Sequence, residues 1–284
     1  MAAAAVVGDE RLGDDAVSWP DASTGRADGW RRQRYEIKYV VDHRLKAELE
    51  ARLGHYMRPD PNVAADADGY VNHSIYFDSP RYRFYLEKHE GLRERIKPRL
   101  RAYRPGPGQP PRACFLELKG RRDRIVWKER VPVSRELAER LLRPVSLAFT
   151  GEIADQPVLA KFYYLVQRFA LQPCVTVLYH RRALIGEPFA NLRVTLDTRL
   201  QASWATSLES PPSAFRYALA PNRFVCEVKY DRLAPRVILD AVRALGLRQA
   251  TFSKFAVALE SAHAARRSTF RSYLDRGDVP AAGE

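Results

Sequence analysis

Sulfur is scarce in this chain, which has three cysteines and two methionines among 284 residues. Cys114, Cys174 and Cys226 are far apart, and neither their odd number nor their spacing suits a disulfide framework or a cysteine metal site. No apolar run approaches the roughly 20 residues that a membrane-spanning helix needs. The alanine-rich start lacks the basic residues of a signal peptide. We therefore expect a cytoplasmic protein without a membrane span.

Several common catalytic motifs are also missing. The sequence contains no glycine-rich P-loop, no G-x-S-x-G and no H-E-x-x-H. The six histidines are scattered along the chain, and each is more typical of a surface or packing residue than of a metal ligand. These absences exclude the P-loop nucleotide-binding proteins, the α/β-hydrolases and the common zinc peptidases.

Acidic residues are fewer than basic ones: 34 Asp and Glu stand against 47 Lys and Arg, which gives a net charge of +13. Such an excess predicts an anionic partner, which is nucleic acid, a membrane surface or a phosphate-rich molecule. A nucleic-acid site would need aromatic residues between the basic ones for base stacking. Because most aromatic residues here occupy apolar positions, we expect no nucleic-acid partner.

The pattern along the chain predicts one α+β domain. Residues 1–29 are rich in Ala, Gly, Asp and Ser and are predicted to be a disordered leader; residues 30–267 are predicted to fold, and 268–284 form a tail. Alternating segments predict strands at 34–41, 70–78, 93–103, 114–119, 125–133, 174–182, 190–197 and 223–230. Helical patterns cover 43–56, 81–90, 135–142, 157–169, 231–245 and 251–267. No regular βαβ alternation is present, so we expect antiparallel pairing.

Three tripeptides place a glutamate and a lysine on either side of an apolar residue: Glu36-Ile-Lys38, Glu117-Leu-Lys119 and Glu227-Val-Lys229. Side chains two residues apart in a strand point to the same face. Each tripeptide therefore puts a carboxylate and an ammonium side by side. Since more than seventy residues separate them, local sequence cannot bring the three together, but a closed sheet could line all three around one cavity.

The strand from Lys97 to Tyr103 places Lys97, Arg99, Arg101 and Tyr103 on one face. Two explanations fit this strand: the charged side is a solvated outer face, or it lines a cavity. Recurrence of the pattern on other strands favours the cavity, because like charges that face each other are destabilising unless an anion lies between them. The same pattern recurs in Lys128/Arg130, Tyr179/Arg181, Arg193/Thr195/Asp197 and Glu227/Lys229.

The carboxylates on these strands allow two roles. Glu36, Glu117 and Glu227 are hard oxygen ligands suited to Mg²⁺ or Mn²⁺ that bridges phosphates. The alternative is that each one neutralises a neighbouring lysine.

Taken together, these motifs resemble the VTC domain, the polyphosphate polymerase branch of the triphosphate tunnel metalloenzymes and a relative of the CYTH proteins. The resemblance spans residues 31–265 and also includes Tyr76-Phe77-Asp78 and Ser253-Lys254-Phe255. It implies an antiparallel β-barrel that encloses a basic tunnel, with flanking helices. It also implies phosphate-binding roles for Lys97, Tyr103, Lys119, Lys128, Arg130, Arg181, Arg193, Lys229, Ser253 and Lys254, and catalytic roles for Lys38, Arg99, Arg101 and Glu227.

The resemblance implies an enzyme that transfers the terminal phosphoryl group of ATP to a growing polyphosphate chain, with Mg²⁺ or Mn²⁺ as cofactor. The alternatives are a tripolyphosphatase or nucleoside triphosphatase of the same fold, and a non-catalytic polyphosphate-binding module. Two positions depart from the family pattern: Arg34 replaces the first acidic residue of the CYTH pattern, and Thr251 replaces a second lysine near the C-terminus. A membrane partner and any oligomeric state are both compatible with the sequence.

Overall fold

The computed structural model describes residues 34–61, 63, 68–106, 108–122, 125–143, 156–187, 191–209, 212–231 and 233–264. The predicted leader at 1–29 and tail at 268–284 lie outside these residues. The strands are β1 Arg34–Asp42, β2 Met57–Pro59, β3 Tyr70–Asp78, β4 Glu94–Arg104, β5 Ala113–Arg122, β6 Ile125–Pro132, β7 Gln172–Gly186, β8 Arg193–Ser203, β9 Arg216–Tyr217 and β10 Arg223–Asp231. The α-helices are α1 Lys46–Gly54, α2 Arg83–His89, α3 Arg135–Leu141, α4 Pro157–Phe169, α5 Arg236–Ala244 and α6 Lys254–Ala264.

All ten strands belong to one antiparallel sheet with the order β1-β10-β8-β7-β3-β4-β5-β6, while β2 pairs with β7 and β9 with β8. The prediction of an α+β fold with antiparallel pairing is confirmed. The predicted closed barrel is not confirmed, because β1 and β6 do not pair with each other among the described residues. The outer edge of β1 is used otherwise: Tyr39 forms a bridge with Gln249, and the Ala250 N–H donates to the Lys38 carbonyl at 2.8 Å.

Strand alternation divides the sheet into an apolar outer face and a polar inner face. One half of the outer face packs under α3 and α4, where Ile75, Leu100 and Leu116 are fully buried with Phe162. The other half packs against α1 and α5, and its buried residues include Val41, Leu49, Val194, Phe224 and Ile238. Helices α1, α3, α4 and α5 therefore cover the back of the sheet. The inner face carries the charged side chains, except where Val175, Val177 and Leu200 pack with Phe255 of α6 in a buried apolar cluster.

Helix α6 covers one end of the inner face. The Phe255 ring stacks on the Tyr76 ring with centroids 5.0 Å apart. The Ser253 hydroxyl accepts a hydrogen bond from the Ala256 N–H at 3.4 Å, which satisfies a donor in the first turn. This packing fixes the start of the helix, and with it Lys254, over the sheet.

The predicted boundaries differ most from the structure at two points. The helix predicted to start at Asp231 begins at Arg236, because Asp231 still pairs with Arg34 as the last residue of β10. The strand predicted to end at Asp197 continues to Ser203. Within this extension Arg199 has a φ of 52°, and the pairing with β7 shifts register between Leu178 and His180. Among the described residues, no helix is long and apolar enough to cross a membrane.

Candidate functional site

The inner face collects the charged residues of seven of the strands. The register places Glu36 opposite Lys229, and Lys38 opposite Glu227. On the other half of the sheet it places Arg99 opposite Glu117. Side chains at every second position of a strand point to the same face, so that one strand can contribute two or three charged residues to the site. The Glu-apolar-Lys tripeptides of β1, β5 and β10 thus lie on one surface, as their spacing predicts.

Glu117 is the centre of the most buried group of charges. Its side chain is 0% exposed, and its Oε2 atom lies 2.6 Å from Arg99 Nη2 and 3.6 Å from Arg101 Nε. Its Oε1 atom lies 2.7 Å from Lys128 Nζ. Burial alone would raise the pKa of Glu117, but the three cations outweigh burial and hold this pKa well below its usual range. Two predicted catalytic residues, Arg99 and Arg101, and one predicted phosphate-binding residue, Lys128, therefore converge on one carboxylate.

Glu36 connects β1, at one end of the sheet order, with β5, which lies next to the other end. Its Oε1 atom lies 2.8 Å from Lys38 Nζ on the same strand, and its Oε2 atom accepts from Lys119 Nζ of β5 at 3.3 Å. Burial and the neighbouring Glu227 would raise the pKa of Glu36. The charges of Lys119, Lys229 and Lys38 outweigh both effects and lower this pKa to about 2. The sheet is thus curved enough for side chains of β1 and β5 to meet across the site.

Glu227 lies next to Glu36 on the inner face. Its Oε1 atom is 2.7 Å from Lys229 Nζ, which is also 4.0 Å from Glu36 Oε2. Its Oε2 atom is 3.7 Å from Lys254 Nζ. Despite burial, Lys229 and Lys254 hold the pKa of Glu227 well below its usual range. Glu36 and Glu227 therefore share one ammonium group.

Asp197 continues this network on β8. Its carboxylate accepts two hydrogen bonds from Arg181, Nε to Oδ1 at 2.6 Å and Nη2 to Oδ2 at 2.8 Å. Lys254 Nζ lies 2.6 Å from Oδ2. Burial lowers the pKa of Lys254, but Asp197 and Glu227 outweigh it and raise this pKa to about 12. Lys254 therefore remains charged at any physiological pH.

Lys97 differs from the cations described above because it donates to a hydroxyl group, Ser253 Oγ, at 3.0 Å. Burial and the charges of Lys38 and Lys119 lower the pKa of Lys97 to about 7. Burial is also the main reason why the pKa of Lys119 falls to about 8. This side of the site is thus a region of positive potential with few carboxylates to balance it.

The remaining predicted residues lie at the margins of the site. Arg193 Nη2 is 2.8 Å from Asp60 Oδ2, next to the β2 end. The Arg130 guanidinium stacks over the Phe115 ring at 4.7 Å. The Tyr103 ring meets Tyr70 edge to face, with centroids 5.9 Å apart. The structure therefore places these three side chains on the inner face but away from the central carboxylates.

Four further inner-face residues were not among the predicted site residues. Tyr76 and Tyr179 accept hydrogen bonds through their hydroxyl groups from Arg99 Nη1 at 3.0 Å and Arg101 Nη2 at 3.4 Å. Asn72 and Thr195 are almost fully buried, at 0% and 1% exposure, and their side-chain polar atoms have no hydrogen-bond partner among the described residues. Alternation within each strand was the available signal, since Asn72 lies opposite both Tyr103 and Tyr179.

The Tyr76-Phe77-Asp78 motif has a structural explanation. Asp78 is fully buried and accepts backbone hydrogen bonds from Ser79 and Phe84 at Oδ1 and from Tyr85 at Oδ2, at 2.7, 2.9 and 3.0 Å. These donors belong to the first turn of α2 and its approach. Asp78 therefore orders this helix and does not face the cations.

The inner-face carboxylates are also candidate ligands for a divalent metal ion. No group of three or more His, Cys, Asp or Glu side chains suited to a metal occurs in the described part of the chain. Mg²⁺ commonly uses only one or two carboxylates and takes its other ligands from substrate phosphates and water. Glu36 and Glu227, which share Lys229, fit that requirement. Glu117 is held by its own three cations.

The chain matches the model of a known protein family. The model of the VTC domain family matches residues 33–263. A comparison with curated proteins finds no match. Among solved structures, a protein from Pyrococcus horikoshii is 12% identical, with a TM-score of 0.42, over 81% of this chain and 99% of its own.

Two further solved structures are candidate adenylate cyclases. The one from Bacillus halodurans is 12% identical over 78% of this chain and 95% of its own, with a TM-score of 0.44. The one from Vibrio parahaemolyticus is 10% identical over 80% of this chain and 97% of its own, with a TM-score of 0.41. At such low identities and scores these likenesses carry no information about activity. The family match covers most of the sequence and all of the inner-face strands, and the chain therefore belongs to the VTC domain family.

Proposed function

We propose that the protein is a polyphosphate polymerase that transfers the terminal phosphoryl group of ATP to a polyphosphate chain. The observation that carries this proposal is the convergence of Arg99, Arg101 and Lys128 on one buried carboxylate, with further lysines on the same face. Several cations around a small buried region suit the oxygens of a linear phosphate, since charge-assisted hydrogen bonds to phosphate are strong and directional.

Phosphoryl transfer needs positioning and charge stabilisation more than covalent chemistry by the protein. An oxygen of the acceptor chain bonds to the γ-phosphorus of ATP, the bond from that phosphorus to the β–γ bridging oxygen breaks, and ADP leaves with the electron pair. Arg99 and Arg101 would bind the oxygens of the transferred group. Their tyrosine partners, Tyr76 and Tyr179, hold the guanidinium groups in place.

Lys254 would provide a permanent positive charge near the donor phosphates, because its pKa is raised to about 12 by Asp197 and Glu227 despite burial. Glu36 and Glu227 would hold a divalent metal, Mn²⁺ or Mg²⁺, which supplies charge neutralisation on the phosphates when it is bound. In this proposal the Glu117 carboxylate orients Arg99 and Arg101 and is not itself a metal ligand.

The test is to incubate purified protein with ATP and Mn²⁺ and to analyse the products. We expect a long phosphate polymer and ADP. Arg99→Ala should lower the rate about 10²- to 10³-fold through loss of transition-state stabilisation. Arg52→Ala, which removes an exposed arginine of α1 paired with Glu48, should leave the rate unchanged.

Two outcomes would contradict the polymerase. Release of inorganic phosphate without polymer would show a tripolyphosphatase or nucleoside triphosphatase instead. Tight binding of tripolyphosphate without turnover would show a binding module. Circular dichroism of each variant separates loss of activity from loss of folding.

A further inference from the structure

The row of inner-face cations continues beyond the site. On β4 and β5 the register pairs Arg99 with Glu117, then Lys97 with Lys119, and then Arg95 with Arg121. Each step of two residues keeps the side chains on the same face and advances about 7 Å along the strand. Two like-charge pairs therefore follow the central ion pair in one direction.

This direction leads to solvent. The side chain of Glu117 is 0% exposed and that of Lys119 is 32% exposed. Arg121, the next residue on that face, is exposed. The row thus connects the buried centre to the protein surface.

Arg95 and Arg121 place like charges at directly opposite positions of the two strands. Like charges directly opposite each other on neighbouring strands are destabilising. Burial and the charge of Arg121 lower the pKa of Arg95, and Arg95 in turn contributes to the low pKa of Lys97. The Glu87 carboxylate, which also accepts from Arg83 at 3.0 Å, offsets part of this effect on Arg95.

The opposite face of the same strand ends is arranged differently. There Glu94 lies opposite Arg122, and the two form an ion pair of 2.8 Å. At these strand ends, opposite charges therefore face each other on the outer face, whereas Arg95 and Arg121 place like charges opposite each other on the inner face. An anion that lies along the row would offset this repulsion.

We propose that Arg95 and Arg121 form an outer binding segment for a linear polyanion whose inner end occupies the site past Lys97 and Lys119. The identity of this polyanion as polyphosphate rests on the proposed function. A chain of many phosphates reaches the outer segment, whereas a triphosphate held at the central cations does not. The segment therefore contributes to the binding of long chains alone.

The experiment compares the affinities of the full chain for tripolyphosphate and for polyphosphate of about 100 units by isothermal titration calorimetry. The test variant is Arg95→Gln with Arg121→Gln. The control is Arg122→Gln, which removes a positive charge from the same strand on its other face. We expect the double variant to bind the long chain roughly tenfold more weakly, with tripolyphosphate affinity within about twofold of the unmodified protein.

The salt dependence provides a second readout. The slope of log affinity against log salt for the long chain should decrease by about one to two when both arginines are removed. Equal losses for the two ligands, or unchanged affinity for the long chain, would overturn the proposal. The readout is binding, so the outer segment can be supported even if the protein makes no polymer. If the protein is an active polymerase but the double variant keeps its affinity for the long chain, only the proposal of the outer segment is refuted. The single variant Arg121→Gln gives the same test should the double variant fold poorly.

Discussion

Glu117 combines complete burial with three cationic neighbours, so its charge is essential to the balance of the site. Glu117→Gln leaves two largely buried guanidinium groups without their counter-charge. We expect the free energy of unfolding to fall by roughly 3 kcal/mol, as measured by urea denaturation. Tripolyphosphate should stabilise the variant more than the unmodified protein, because phosphate oxygens replace the lost charge.

The matched control for this substitution is Glu129→Gln. Glu129 pairs with Lys161 at 2.6 Å on a more exposed surface, where an ion pair contributes less than about 1 kcal/mol. If Glu117→Gln proves as stable as this control and gains no more from tripolyphosphate, Glu117 does not neutralise a phosphate site.

Lys97 and Lys119 predict a pH dependence of anion binding. Burial is the main cause that lowers their pKa values to about 7 and about 8. Below pH 7 both are charged before the ligand binds. Above pH 8 both are largely neutral, so that a bound anion must draw protons onto them and affinity falls as the pH rises.

Calorimetry of tripolyphosphate binding at pH 8.5 in Tris and in HEPES should therefore give different heats, which report the uptake of one or two protons. Lys97→Met should reduce this uptake. Equal heats in the two buffers would show that these lysines are already protonated in the free protein.

At the scale of elements, Asp78 fixes the start of α2 on the end of β3. Asp78→Ala leaves three buried N–H donors, those of Ser79, Phe84 and Tyr85, without their acceptor. We expect a loss of about 2–4 kcal/mol in unfolding free energy. Ser134→Ala, which removes the exposed cap of α3, should cost less; a similar loss in both variants would mean that Asp78 is an ordinary cap.

The elements also show which features could be read from the sequence. A strand repeats every two residues, so the alternation of Lys97, Arg99 and Arg101 placed them on one face without knowledge of the fold. The pairing of the β1 edge with Gln249 and Ala250 has no local signal, since those residues belong to an irregular segment. The prediction of a closed barrel was unsupported for this reason.

At the scale of the whole molecule, the partners of each charge depend on strand order and register. The contact of Lys119 with Glu36 needs β1 and β5 to approach across a curved sheet. The pairing of Arg181 with Asp197 needs the register of β7 and β8. Composition predicts an anionic partner, but only the fold shows which cations and carboxylates contact each other on the inner face.

The same curvature predicts a global effect of the ligand. A polyanion bound on the inner face would contact strands near both ends of the sheet order and would bind only the folded chain. At a concentration about 100 times its Kd, tripolyphosphate should stabilise the protein by about 2.7 kcal/mol, which raises the Tm by roughly 5–10 °C for a domain of this size.

The Tm measured by thermal denaturation in tripolyphosphate should be compared with the Tm in sodium sulfate at the same ionic strength. Because sulfate carries one anionic group and cannot join both halves of the sheet, an equal rise in sulfate would show general charge screening and would contradict a specific site for linear phosphates.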